Sequence, residues 1–552
     1  MFNAKRSFTR FALIAVWTAF LCKGLFYAAL TPIWEGYDEW AHFAFIQHVA
    51  VHHELPVPDT RISLELERAL ELAPLAWGLR DFLPPPHLTH DLYWKLPADE
   101  RSRREQDLLA IPSNWQTQSG TAFLYEGKQA PLYYLLVSPL YRVIENVSLP
   151  NRVFILRLLN ILLSSLVIPI AFAVAHTVFA DKRVGIVVCA LIASMPELYM
   201  DAFRVGNPSL AMVLHSLFTL FCLRSVEGKL KYLPLAGITL GLLVITRVHG
   251  LAAIPAMLLV VIYVSRQAKT YGWPRVLWLD AAAFTAPVLI AAWWYIRNVR
   301  LVGTPIWYDA SPSHPMGLAE IARRALNVRW RSGFESLFGS HIWFGNWSFL
   351  SVRSWMYRVF QFVWFVAAVG LFTRGWNKLK QVIPGKPTND STEPKNLSIL
   401  LAIYGGFLLA ATYHILMNSI NLGVDASAGW YIYAVVVAEG TLIVAGLLAF
   451  RWGKAVVIGL IACFVLLEMY ATHFVLIPYY TGLIAHAPDG GLQSFHLSQL
   501  NTIGFTEILA RLQTNKVSYM TSQVIIGLWS LFVAASLTLP FVAARAFRAP
   551  KT

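Results

Sequence analysis

Glu35-Gly36-Tyr37-Asp38-Glu39-Trp40-Ala41-His42 begins directly after an apolar run at residues 11–33. That run is long enough to cross a hydrocarbon core ~30 Å thick, so the acidic cluster lies where a membrane-spanning helix emerges into water. Two adjacent carboxylates just outside a bilayer can orient or deprotonate an acceptor hydroxyl or amine, or hold a divalent cation between them. A helix start is the other reading, because Asp38 or Glu39 in a first turn complements the helix dipole.

Composition points the same way. With 57% hydrophobic residues, 14% charged residues and 20 Trp, and a mean hydropathy of +0.52, the chain cannot present the polar surface of a soluble globule. It reads as a polytopic membrane protein. The net charge of +14 comes from short Lys and Arg clusters between apolar runs, the pattern of a positive-inside topology, so no nucleic-acid partner is expected. Cys22, Cys189, Cys222 and Cys463 all lie inside apolar runs, placed neither to staple an external loop nor to form a CxxC metal site.

Lys5, Arg6 and Arg10 precede the first run, which puts the amino terminus in the cytoplasm. A cleaved signal peptide is the rival, but its apolar core is usually only ~7–15 residues. The stretch that follows, to about residue 151, has no obvious span and is expected outside. Wound as a helix, residues 38–53 place Asp38, His42, His52 and His53 on one face and Trp40, Phe43, Ala44, Ala50 and Val51 on the other, the pattern of an interfacial helix. Phe45, Val49 and Gln47 break the segregation, so packing against neighbouring spans is the alternative.

Asp38 and His42 form an i, i+4 pair, so the imidazole can orient the carboxylate or bind an anion beside it; a plain surface histidine is the other reading. His53-Glu54 is followed by Val57 where an H-E-x-x-H pattern needs its second histidine, which argues against a zinc-protease site. Residues 56–114, with Pro84-Pro85-Pro86, read as a loop with short helices. The segment Tyr125-Glu126-Gly127-Lys128-Gln129-Ala130-Pro131-Leu132-Tyr133-Tyr134 leads into a further apolar run. A span there would put the later basic clusters outside, so a second interfacial helix is expected.

The remaining runs then give about twelve spans with both termini cytoplasmic. Basic clusters at 182–183, 224–231, 266–275, 374–386, 451–454 and 545–551 all fall inside. The expected fold is all-α, with a large first outer loop carrying interfacial helices. Residues 1–373 are expected to form a catalytic transmembrane module including outer loop 34–153, 374–396 a cytoplasmic linker, and 397–552 a C-terminal transmembrane region.

Several short elements resemble the polytopic glycosyltransferases of the GT-C fold that use lipid-linked sugars, in the bacterial branch related to protein mannosyltransferases and lipid A aminoarabinose transferases. Asp38-Glu39, followed by His42 and later by Leu55-Pro56-Val57-Pro58, resembles that family's acidic pair after the first span. Glu126 to Tyr134 is similar to its glutamate-x-x-glutamine-proline-proline-leucine-tyrosine-tyrosine element, with Ala130 at the first proline. Gly237 to Arg247 resembles a glycine-leucine helix ending in lysine, here arginine. Arg297-Asn298 with Gly303-Thr304-Pro305, and the aromatic stretch Phe334 to Trp347, complete the likeness. The chain departs from the pattern at Asn207-Pro208, where the family often has asparagine-aspartate, and at Gly429-Trp430-Tyr431, where it often has glycine-arginine-tyrosine.

The resemblance implies a glycosyltransferase that moves a sugar from a polyprenyl-phosphate donor to a glycan, lipid or protein acceptor at the outer face of the inner membrane. Asp38 is then the catalytic base and Glu39 its partner or a metal ligand, with a divalent cation an open question. His42, Lys128, Gln129, Arg204, Asn207, Arg247 and Arg297 are the expected substrate-binding residues, the cations meeting the phosphate. Each cation can instead be an interfacial anchor. Trp343 and Trp347, with Phe344, are the outer-loop candidates for stacking on sugar. The rival is a transporter or flippase, whose signature is charge at the bilayer midplane and inverted repeats. Glu439 and Glu468 are the acidic residues within spans.

Overall fold

The computed structural model describes residues 2–80, 88–307, 317–382 and 393–548. The proline triplet Pro84-Pro85-Pro86 and most of the expected linker, residues 383–392, lie outside the described residues. The described chain is mostly helical, with one small antiparallel strand pair, Arg61–Ser63 with Ser119–Phe123.

Among the described residues ten helices are long and apolar enough to cross a membrane, the first at Phe8–Leu30 and the last at Ser522–Arg548. The count is eleven if one bent pair is a single span, against the expectation of about twelve, and two elements stand out. Lys182–Ser194 and Pro196–Phe203 form one broken element, bent by 72°. Met195 is extended there because Pro196 disfavours helix at the residue before it while fitting the first turn of the next helix. Tyr232–Val244 has only 13 residues, about 20 Å of helix against a core of ~30 Å.

The two ends of the chain belong to one bundle. Phe26 of the first helix stacks on Phe532 of the last, with ring centroids 4.3 Å apart. Lys23 meets Glu468 at 2.9 Å, both side chains fully buried, and Glu468 also accepts from Tyr27 and Ser536, each at 3.2 Å. Two charges so far from water are tolerable only when paired and hydrogen-bonded, and this site meets both conditions.

The Glu39–His52 helix differs from its expected interfacial placement. It is buried along nearly its whole length. Phe45 stacks on Tyr134 of the Leu132–Val143 helix, centroids 3.7 Å apart. Gln47 donates to Glu65 at 2.7 Å and to Tyr141 at 2.9 Å, and accepts from Ser63 at 2.6 Å. Glu65 is paired in turn with Arg152. The segments that cover this helix come from far along the chain, which periodicity within one segment cannot reveal.

The Leu132–Val143 helix keeps a one-sided pattern. Tyr133, Tyr134, Val137 and Tyr141 point inward, while Leu135, Leu136 and Val143 are exposed apolar side chains. At 12 residues it is about 18 Å long, too short to span and suited to lying along an apolar boundary.

Candidate functional site

The site is built on the end of the first helix. A helix terminus leaves its last carbonyls without intrahelical partners and carries partial negative charge. Here two cations cap it, Arg157 buried and Lys516 half-buried. Arg157 donates to the carbonyls of Ala28 at 3.1 Å and of Thr31 and Pro32 at 2.7 Å each. Lys516 donates to those of Ala29 at 2.6 Å and Leu30 at 2.7 Å. Burial pushes the Lys516 ammonium well below the usual lysine range, and the Arg157 charge adds to the shift.

The chain then turns sharply, with Trp34 at φ 65° and Asp38 at φ 55°. Asp38 occupies the N-cap position of the next helix, yet its side chain makes no capping bond. Its carboxylate accepts instead from the Tyr125 hydroxyl. A non-glycine residue in the left-handed region costs free energy, and such positions cluster at functional sites.

Glu39 points the other way. Arg157 grips it through Nε at 2.8 Å and Nη2 at 2.6 Å, and the Val205 amide donates to it at 3.1 Å. Both carboxylate oxygens are committed, so a cation bridged by Asp38 and Glu39 does not fit this arrangement. Among the described residues no group of three or more His, Cys, Asp or Glu is placed to hold a metal.

Tyr125, Glu126, Arg204 and Tyr431 lie close enough to Asp38 to feel its charge, and Arg247 acts in turn on Glu126 and Tyr431. Glu126 is buried, and its Oε2 has no hydrogen-bond partner among the described residues. Burial pushes its carboxyl up to about 7, helped by the Asp38 charge and opposed by Lys128, Gln129 and Arg247. The Tyr125 phenol is also pushed well up, by burial and then by Asp38.

The four expected cations separate into different roles. Arg204 donates to Asp201 at 2.9 and 2.6 Å and to the Tyr37 carbonyl, so its charge is largely answered. Arg297 donates to the carbonyls of Leu55 at 3.3 Å and Pro56 at 2.7 Å, anchoring the segment that packs on Gly127. Lys128 lies 5.3 Å over the Tyr125 ring, at the edge of the Asp38 pocket. Arg247 is 8% exposed and lies 5.3 Å over the Tyr431 ring. Among the described residues its guanidinium makes no hydrogen bond and no ion pair.

His42 is buried rather than on the surface, and its Nδ1 meets the Tyr134 hydroxyl at 2.8 Å instead of orienting Asp38. Burial, then Arg204 and Arg247, hold its pKa well below the usual histidine range, so it is neutral. Asn207 donates to the Thr246 carbonyl at 3.1 Å, to Gln129 at 3.3 Å and to Tyr134 at 3.4 Å. Its own carbonyl oxygen has no partner among the described residues.

One wall is aromatic. Tyr37 and Trp430 stack with centroids 3.8 Å apart and planes 8° apart, and Trp347 meets them edge-on at 5.6 and 5.8 Å. Buried Glu197 fixes this wall by accepting from the Tyr37 hydroxyl at 2.5 Å and from the amides of Phe344 at 2.8 Å and Gly345 at 3.1 Å. Trp343 is fully buried with its indole N–H on the Leu350 carbonyl at 2.8 Å, which leaves no ring face for a sugar. Trp347 is half-buried in this wall. Gly429 leads into Trp430 by passing the Trp330–Ile342 helix so closely that a Cβ would lie 2.1 Å from the Leu337 carbonyl oxygen.

The sequence reading gave no role to Tyr125, Glu126, Tyr134, Arg157, Glu197 or Tyr431. Three of these stand in the segment Tyr125 to Tyr134, where clustered tyrosines beside a glutamate were the available signal. Arg157 and Glu197 lie in largely apolar runs, where a charged residue that needs a partner is itself a signal.

No family model and no curated protein matches the chain. Among solved structures it is similar to ArnT from Cupriavidus metallidurans bound to undecaprenyl phosphate, at 13% identity, covering 99% of this chain and 77% of that one with a TM-score of 0.41. The apo state of the same protein gives 12% identity, 91% and 74% coverage and a TM-score of 0.36. The archaeal oligosaccharyltransferase AglB from Archaeoglobus fulgidus, in complex with an inhibitory peptide and a dolichol-phosphate, gives 13% identity and a TM-score of 0.41, with coverage of 99% of this chain and 57% of that one. Superpositions this loose assign neither a reaction nor a site to the chain.

Proposed function

We propose that this chain is an integral membrane glycosyltransferase that moves a sugar from a polyprenyl-phosphate-linked donor to an acceptor hydroxyl or amine. The observation that carries the reading is Arg247, a nearly buried guanidinium with no hydrogen bond or close ion pair among the described residues, near enough to Glu126 to act on it, as Asp38 does. An unpaired buried cation is costly, and an anionic ligand removes that cost. Phosphate is the anion that a membrane enzyme meets at the end of a lipid.

In this reading the acceptor oxygen or nitrogen attacks the anomeric carbon, the bond from that carbon to the phosphate oxygen breaks, and the acceptor's proton passes to the Asp38 carboxylate. The lipid phosphate leaves with the bonding pair, held by Arg247 and Lys128. Tyr125 fixes the Asp38 carboxylate, and Glu39 positions the turn through Arg157. The Tyr37, Trp347 and Trp430 wall lies beside the pocket, where sugar rings need an apolar face. Arg224 and Arg266 stand at the far ends of the helices that begin at Pro208 and Val248, which supports a site on the non-cytoplasmic side. Glu468 is paired with Lys23 and Glu439 with His341, at 2.9 Å in each case; these intramembrane carboxylates are committed to the fold, which favours the enzyme over a transporter.

The test is release of lipid phosphate and labelling of acceptor by detergent-purified protein, across a panel of polyprenyl-linked sugar donors. Turnover that depends on Asp38 supports the reading. Absence of turnover and of donor binding across the panel overturns it.

A further inference from the structure

Below Arg247 the protein keeps two histidines that the proposed chemistry does not use. His215 stands on the Pro208–Val226 helix and His249 directly follows Val248. Their rings flank Phe407 from two sides, with centroids 5.5 and 5.4 Å from it and interplanar angles of 81° and 77°. His249 also lies 5.9 Å from the Tyr431 ring, the ring that faces Arg247. Both nitrogens of His215 and Nε2 of His249 are buried with no hydrogen-bond partner among the described residues. His215 itself is 1% exposed.

Buried polar atoms are almost always satisfied, because leaving them unpaired forfeits their hydration with nothing in return. Arg247 lies close enough for its charge to act on both rings, and His414 stands near His249. A neutral imidazole can place its single N–H on either nitrogen, so each ring can present a donor to the space beside it. The cluster is therefore a set of unmatched donors beside an unmatched cation, which suits an oxygen-rich anion. It also has depth: His215 is seven residues beyond Pro208, about 10 Å down the helix from it.

We infer that His215 and His249 form a second phosphate subsite beneath Arg247, so that the lipid donor is joined to its sugar through a diphosphate. This rests on the reading of the protein as a lipid-linked-sugar transferase. The phosphate attached to sugar lies at Arg247 beside Asp38, and the phosphate attached to lipid lies at the two imidazoles. On transfer the bond between the anomeric carbon and its phosphate oxygen breaks, and the lipid diphosphate leaves intact.

The experiment measures binding of undecaprenyl diphosphate and of undecaprenyl monophosphate to the purified full-length protein. Wild type is expected to bind the diphosphate at least about tenfold tighter, and His215→Ala or His249→Ala to lose roughly ten- to hundredfold in diphosphate affinity while leaving monophosphate binding within about twofold. His215→Gln and His249→Gln keep an N–H donor and are expected to retain most of the preference, which separates lost recognition from lost folding. Equal binding of the two lipids by wild type, or equal loss of both in the alanine variants, overturns the diphosphate subsite while leaving the transferase reading intact. Binding of neither lipid by wild type overturns both.

Discussion

Arg157 holds Glu39 through two nitrogens, at 2.8 and 2.6 Å, across 118 positions of sequence, while the neighbouring Asp38 makes no such contact and turns to Tyr125. Adjacent carboxylates are thereby given opposite tasks. Glu39→Gln is expected to act on the fold, since breaking a buried ion pair from one side typically costs about 3–5 kcal/mol. The check is thermal stability in detergent: a normal melting temperature combined with lost turnover would move Glu39 into the chemistry.

Asp38→Asn is expected to leave the protein folded and able to bind donor, and to lower turnover by ~10²–10⁴-fold, the usual scale of general-base loss. Donor binding and turnover are measured on the same preparation. Near-normal turnover removes Asp38 from the mechanism.

Arg247→Gln is expected to raise the donor KM with a loss worth about 1.5–3 kcal/mol, because a charge-assisted contact is removed. Arg297→Gln is expected to spare donor affinity, since that guanidinium is engaged by the Leu55 and Pro56 carbonyls. Equal effects in the two variants would contradict the division of roles.

Glu126 gives a pH dependence with a definite sign. Its carboxyl is raised from an ordinary 4.5 to about 7, so between those values the folded state holds a proton that the unfolded chain has lost. Stability therefore falls as pH rises through that window and levels off above it. Glu126→Gln cannot ionise and is expected to show a smaller drop in melting temperature between about pH 5 and about pH 8. A drop as large as that of wild type would show that another group is responsible.

The sidedness of the site can be read with a membrane-impermeant thiol reagent. Glu54→Cys and Lys229→Cys replace side chains that are 71% and 49% exposed. In intact cells or oriented vesicles they are expected to label from opposite sides. Labelling from the same side would refute the proposed orientation.

The sequence by itself determined the class of fold. Hydropathy is a local property, and an apolar run such as residues 11–33 must become a helix because no water is present to satisfy an open backbone. It also singled out Asp38, just beyond the first helix, and the segment Tyr125 to Tyr134, which the fold brings together through the Tyr125 hydroxyl. What it could not assign is which charges are answered. Arg297 and Arg247 are alike on paper, yet one meets two backbone carbonyls and the other only the face of the Tyr431 ring. Trp343 and Trp347 sit in one aromatic stretch, yet only Trp347 reaches the pocket wall. The helix from Glu39 to His52 reads as half-exposed, yet Tyr134, Glu65 and Tyr141 cover it. For Arg297, Arg247, Trp347 and the Glu39–His52 helix, deciding partners are distant in sequence. A charge or a ring acquires its role from the group brought against it, and only the packed bundle supplies that group.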